Sequence, residues 1–180
     1  MMRFQLGNTK STMDNVVWVN EKDEILGEIP REKAHKEGQL HRIAAVYLTN
    51  DKNEILVQER ADWGLDHSAA GHVDPGESYL ETAKRELQEE IGVSGVELKE
   101  VGKTVSDELI LDDRKHKMHQ FMLFECEADP GELDKGEVNR VFWSNPLEVW
   151  KDMQKSEQEK KYRKGFEATL ELFLKHKGLM

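Results

Sequence analysis

Between Gly71 and Val93 the chain reads GHVDPGESYLETAKRELQEEIGV, a glycine-bearing loop leading into a helix whose two ends are both encoded locally. Ser78 precedes Glu81 by three residues, the spacing of a capping box, in which each side chain satisfies a backbone N–H of the other. Gly92 offers the left-handed position that terminates a helix, so one is expected over about 79 to 91. Leu80, Ala83, Leu87 and Ile91 recur at helical spacing and form its expected buried stripe.

On that helix Glu86, Glu89 and Glu90 stand at i, i+3 and i+4, which projects three carboxylates from one face within about 100° of arc. Like charges so placed cost a few tenths of a kcal/mol each. Acidic runs on helices are usually solvated surface. Here, however, the glutamates lie beside the apolar stripe instead of opposite it, and they follow the loop 71-GHVDPG-76, whose glycines let backbone approach a ligand. A divalent cation would relieve the repulsion. Carboxylate oxygens suit Mg²⁺ or Mn²⁺, and Mg²⁺ keeps waters and phosphate oxygens in its shell, so the pattern points to phosphate chemistry. Arg85 and Glu77 are expected to pair and hold the loop against the helix, with Glu77 reaching a metal through water.

The remaining sequence alternates strand and helix signals. A hairpin is expected at 16–19 and 25–29, a short helix at 31–37 ending at Gly38, and strands at 41–48, 54–60 and 68–73. Further strands are expected near 95–105, 119–127 and 138–143, then helices near 146–154 and 157–176, the last packing through Phe166, Leu170, Phe173 and Leu174. This plan is an α/β chain with a mixed sheet and helices on both faces. At 180 residues and 20.8 kDa it fits one domain spanning 1–180, with a core over about 14–150 and a C-terminal helical segment.

The formal net charge is −10, with basic residues dispersed among acids, which argues against a nucleic-acid partner. A small anionic substrate would be repelled on average unless bound cations reverse the local sign. No run approaches the roughly 18 to 20 apolar residues of a membrane span, and MMRFQLGNTKS lacks the apolar core of a signal peptide, so the cytoplasm is the expected location. The single cysteine, Cys126, is expected as a structural thiol on a half-buried strand.

The segment 71–93 resembles the Nudix box, G-x5-E-x7-R-E-U-x-E-E-x-G-U with U aliphatic, at every position: Gly71, Glu77, Arg85, Glu86, Leu87, Glu89, Glu90, Gly92 and Val93. The resemblance implies a Nudix fold, an α/β/α sandwich around a mixed sheet. It implies Mg²⁺-dependent hydrolysis of a diphosphate linked to a further group X by a metal-activated water. Glu86, Glu89 and Glu90 would ligate the metal, often joined by the Gly71 carbonyl. A base on a loop before a late strand is common in the family; Glu137 in 136-GEVNRVFW-143 occupies a similar setting, and Glu89 is the competing choice.

Over roughly 14–150 the chain is also similar to the branch that contains isopentenyl-diphosphate isomerase. Isomerisation is therefore a rival reading, and a non-catalytic metal- or diphosphate-binding regulatory module is another. The isomerase places a cysteine before its Gly-His, where this chain has Ala70, and a glutamate on a later strand, where it has Gln120 or a neighbour. In that branch the counterparts of His35, His41 and His72 help bind a metal; with no cysteine beside them, hydrogen bonds to loop backbone are the preferred reading. His116 and His119 are expected on an exposed loop, from which Arg114, Lys115 and Lys117 could clamp a phosphate. Trp63 reads as a packing anchor before a base-stacking surface. The expected partner is a small diphosphate, and the N-terminal hairpin offers a surface for a homodimer.

Overall fold

Strand β3 (His41–Thr49) carries the run IAAVYL, which is apolar on both pleat faces and therefore suited only to the middle of a covered sheet. The computed structural model, which describes residues 14–155 and 161–180, puts it there. β3 runs parallel to β8 (Lys115–Glu127) and antiparallel to β6 (Ala69–His72). It also meets β1 (Asn15–Val19) and β4 (Ile55–Arg60). β2 (Ile25–Pro30) extends the sheet beyond β1, β5 (Leu65–Asp66) and β9 (Val138–Ser144) flank β4, and β7 (Lys99–Ile110) pairs with β8.

Strand alternation divides the core in two. Ala44, Val46 and Leu48 of β3, with Leu56 of β4 and Met122 and Phe124 of β8, face helix α2 (Tyr79–Ile91), which contributes Ala83, Leu87 and Ile91. Ile43, Ala45 and Tyr47, with Val57, Phe121 and Leu123, face α3 (Pro146–Met153) and α4 (Lys164–His176). The expected α4 stripe of Phe166, Leu170, Phe173 and Leu174 is buried throughout. A short helix α1 (Arg31–Glu37) seats Ala34 against Val16 and Ile29. The result is the expected mixed sheet between helical layers. No helix among the described residues is long and apolar enough to cross a membrane.

Three expectations shift. Leu80 is 39% exposed, and Tyr79 takes its place in the α2 stripe, held under Arg42 with its hydroxyl donating to Asp23. The basic run 112–119 is not a loop: β7 and β8 form a long hairpin with a turn at 111–114, and both Lys115 and His119 belong to β8. The first part of the helix expected from 157 lies outside the described residues, and α4 begins at Lys164. Cys126 is a buried strand thiol, as expected, its pKa pushed up to about 11 by burial.

The α2 terminus shows how tightly the site's helix is held. Gly92 adopts φ 66°, Gly131 N–H donates to the Ile91 carbonyl, and Asp134 N–H donates to that of Glu90, so the 131–134 loop caps the helix's orphan acceptors. A Cβ on Gly92 would overlap the Glu132 backbone. Gly92→Ala is therefore expected to destabilise the protein by more than the roughly 1–2 kcal/mol of left-handed strain alone, read as a lowered urea midpoint; an unchanged midpoint would contradict this packing.

Candidate active site

The capped helix expected from Ser78 is present, with the reciprocal Ser78–Glu81 bonds in place. It points the acidic face of α2 at β6 and β4. Glu86 lies against Gly71, where any Cβ would overlap its carboxylate, so the backbone at 71 must be bare for helix and strand to approach. Glu90 is 2% exposed. Gln58 Nε2 donates to it at 2.6 Å, and Arg60 Nη1 stands 3.5 Å away. Glu89, by contrast, keeps 60% of its side chain in solvent.

Arg85 organises the entry loop. It donates to both oxygens of Glu77 at 2.9 Å and to Glu86 at 2.6 Å, while the Thr82 hydroxyl donates to Glu77 at 2.8 Å. The expected Arg85–Glu77 pair is thus formed, and hydrogen bonds from Arg85 hold the Glu77 carboxyl below its usual pKa. The helix carboxylates shift the other way. Burial, partly offset by Arg85, raises Glu86 to about 7; burial, partly offset by Gln58 and Arg60, raises Glu90 to about 8.

These groups line a cleft of about 620 Å³, within the roughly 300–1,000 Å³ typical of small-ligand sites. Glu137 enters it from the loop before β9, 3.7 Å from Arg60 Nη2. Lys115 and Lys117 of β8 face it from the far wall. Trp63, expected as a packing anchor, is 45% exposed at its rim with the Arg163 guanidinium 4.8 Å over its ring. A second hollow of about 660 Å³ lies between β4, β9 and α3, where Arg140 pairs with Glu59 and Lys161 with Asp152, and Glu148 adds a further carboxylate. The glutamate cleft is where unsatisfied charge collects.

On the wall of this cleft that His35, His72 and His119 line, the imidazoles of His35, His41, His72 and His119 converge. His41 does bond loop backbone, through Nδ1 to the Gln39 carbonyl at 2.7 Å, yet Nε2 of both His41 and His72 is buried without a partner. His119 is the member the sequence reading missed. Burial lowers the His35 pKa to about 3 and that of His41 to about 4, and burial likewise depresses His72 and His119, with neighbouring positive charges adding to the effect. Gln58 and Arg60 were missed too. Both continue the α2-facing row that Leu56 begins, and a polar pair on such a row is the signal that could have marked them.

The donor set suits a hard divalent ion. Oxygen ligands, a Cβ-free approach at Gly71, and two buried carboxylates that resist ionising alone are what such an ion would satisfy. Comparisons with known proteins identify the family. The NUDIX domain family matches residues 39–166. The uncharacterized Nudix hydrolase YfcD of Escherichia coli (strain K12) is 31% identical over 138 residues, 73% of each chain. The isopentenyl-diphosphate Delta-isomerase of Pectobacterium atrosepticum is 37% identical over 87 residues, 45% of this chain and 49% of that enzyme. The crystal structure of DR0079 from Deinococcus radiodurans shares the fold, with TM-score 0.67 at 19% identity over 87% of this chain and 97% of that one.

The chain belongs to the Nudix family. It is a hydrolase of the class that acts on pyrophosphate bonds.

The raised carboxyl pKa values set a pH dependence in chelator. Between pH 7 and 8.5 the four depressed histidines are neutral when folded and only partly protonated when unfolded, which offsets part of the effect of Glu86 and Glu90; those two hold protons only when folded. The folded state then binds more protons, so stability falls as pH rises, by on the order of 1 kcal/mol across this window. Urea midpoints in EDTA are expected to drop from pH 7 to 8.5 and to recover with excess Mg²⁺; a flat profile would contradict the burial of these carboxylates.

Proposed function

We propose that the protein is a Mg²⁺-dependent hydrolase, with Mn²⁺ as the substitute ion, that cleaves the diphosphate linkage of a nucleoside diphosphate derivative or similar small molecule. The observation that carries this reading is the pair of sunken carboxylates, Glu86 and Glu90, set beside bare Gly71 in one cleft with Glu89 and Glu137. Glu86, Glu89 and Glu90, with the Gly71 carbonyl, would hold the ion, and Glu77, already engaged by Arg85 and Thr82, would contribute through water. A divalent ion held there supplies polarisation of the phosphoryl oxygens and a lowered pKa for water.

The chain's own residues supply the rest. Arg85 fixes the loop against the helix and so sets where the Gly71 carbonyl stands relative to Glu86. Glu137, exposed beside Arg60, would accept the proton of an attacking water, with Glu89 as the alternative base. Lys115 and Lys117 give the cleft cationic donors for the outgoing phosphate. Isomerisation has less support: Ala70 can transfer no proton, and Gln120 is buried and donates to the Thr104 carbonyl.

A panel of nucleoside diphosphate derivatives, sugar nucleotides, coenzymes and isoprenoid diphosphates, assayed with Mg²⁺ for release of phosphate or nucleoside monophosphate, tests the reading. Glu137→Gln is expected to lower kcat at least about 10²-fold, and Glu90→Gln to lower activity further. A fall of less than about tenfold in Glu137→Gln would move the base to Glu89. Near-normal Mg²⁺-dependent activity in Glu90→Gln would overturn the ligand set, and no product from any panel member with Mg²⁺ bound would favour a binding module.

A further inference from the structure

We infer that Asp134 is a positioning residue for the reaction, fixing where Glu137 stands relative to Glu90; the inference rests on Glu137 being the base proposed above. The segment 134-DKGEV-138 encodes a turn from its own residues. An aspartate that opens a turn can accept the backbone N–H two residues on, and Asp134 does so: its Oδ1 accepts from Gly136 N–H at 2.9 Å. Its carbonyl closes the turn, accepting from Glu137 N–H at 3.0 Å and from Val138 N–H at 2.8 Å. The fit is close, since a Cβ on Gly136 would stand 3.2 Å from Asp134 Oδ1.

The same residue reaches back to the helix. Asp134 N–H donates to the Glu90 carbonyl at 2.9 Å, on the turn of α2 from which Glu90 sends its carboxylate into the cleft. Among the described residues of 131–137, Asp134 alone bonds both to α2 and to the backbone of Glu137. Beyond the turn, the Glu137 carbonyl accepts from Ala61 N–H at 2.8 Å, and Val138 is fully buried where β9 begins its pairing with Arg60. Glu137 is therefore tied through its N–H, its carbonyl and its successor, yet keeps 52% of its side chain exposed.

A fixed backbone beneath a free carboxylate suits a group that must meet a reacting water at a defined place. Glu90 and Glu137 are carried by different elements, α2 and the loop before β9, so their separation depends on what joins those elements. Asp134 is that joint. A misplacement of about 1 Å can cost about 10²-fold in rate, so loosening the turn lowers turnover without removing any group that holds an ion or a phosphate.

Steady-state kinetics and amide exchange on the full chain test this. Asp134→Ala is expected to lower kcat about tenfold while leaving KM and Mg²⁺ affinity within about twofold of the parent. Asp134→Asn keeps an acceptor for Gly136 N–H and is expected to restore kcat to within about twofold of the parent. Added to Glu137→Gln, Asp134→Ala is expected to bring no further loss, because it acts through that residue. In metal-free protein, the Gly136, Glu137 and Val138 amides of Asp134→Ala are expected to exchange at least about tenfold faster, with those of α2 unchanged, a readout that needs no turnover. Unchanged exchange, a kcat within about twofold of the parent in Asp134→Ala, or a loss that multiplies with that of Glu137→Gln would overturn the proposal. Hydrolysis that tolerates Glu137→Gln removes the base and this inference together, an outcome distinct from one in which Glu137→Gln is damaging and Asp134→Ala is harmless.

Discussion

Two carboxylates forced out of water organise this molecule. Glu86 and Glu90 lie on the side of α2 that docks against β6 and β4, and the same docking buries Ala83, Leu87 and Ile91. The helix cannot bury its apolar stripe without carrying the adjacent glutamates partly inside. Local features absorb part of the conflict: the bare backbone at Gly71, the Gln58 amide, and the cations Arg60 and Arg85. What they leave unsatisfied raises both carboxyl pKa values, Glu86 to about 7 and Glu90 to about 8.

The field of the whole chain gives that arrangement its purpose. A protein of formal net charge −10 repels anions on average. Its cleft nevertheless gathers Lys115, Lys117, Arg60 and Arg85 along with the acidic cluster. The cations on the protein and the ion proposed among the glutamates would act in the same direction. Diphosphate recognition then becomes a local reversal of a global sign.

Much of this was legible in the sequence because the signals were local. The capping box at Ser78, the terminating Gly92 and the Arg85–Glu77 pair all lie within one short segment, and each formed as expected. What escaped was set by register between distant strands. His119 reads as exposed because it follows a charged run, and only its parallel pairing with His41 brings it inward. Gln58 and Arg60 look like ordinary strand polarity until α2 presents Glu90 to them. Tyr79 displaced Leu80 because Asp23, remote in sequence, accepts a hydrogen bond from its hydroxyl while Arg42 covers its ring.

The central claim, that buried and largely protonated carboxylates receive the divalent ion, has a direct test in proton release. Calorimetric titration of the protein with Mg²⁺ at pH 7, repeated in buffers of different ionisation enthalpy, counts the protons displaced on binding. About one proton or more per ion is expected at pH 7, falling toward zero at pH 9 and lost in Glu86→Gln/Glu90→Gln. Mg²⁺ binding at pH 7 with no proton released would contradict the account.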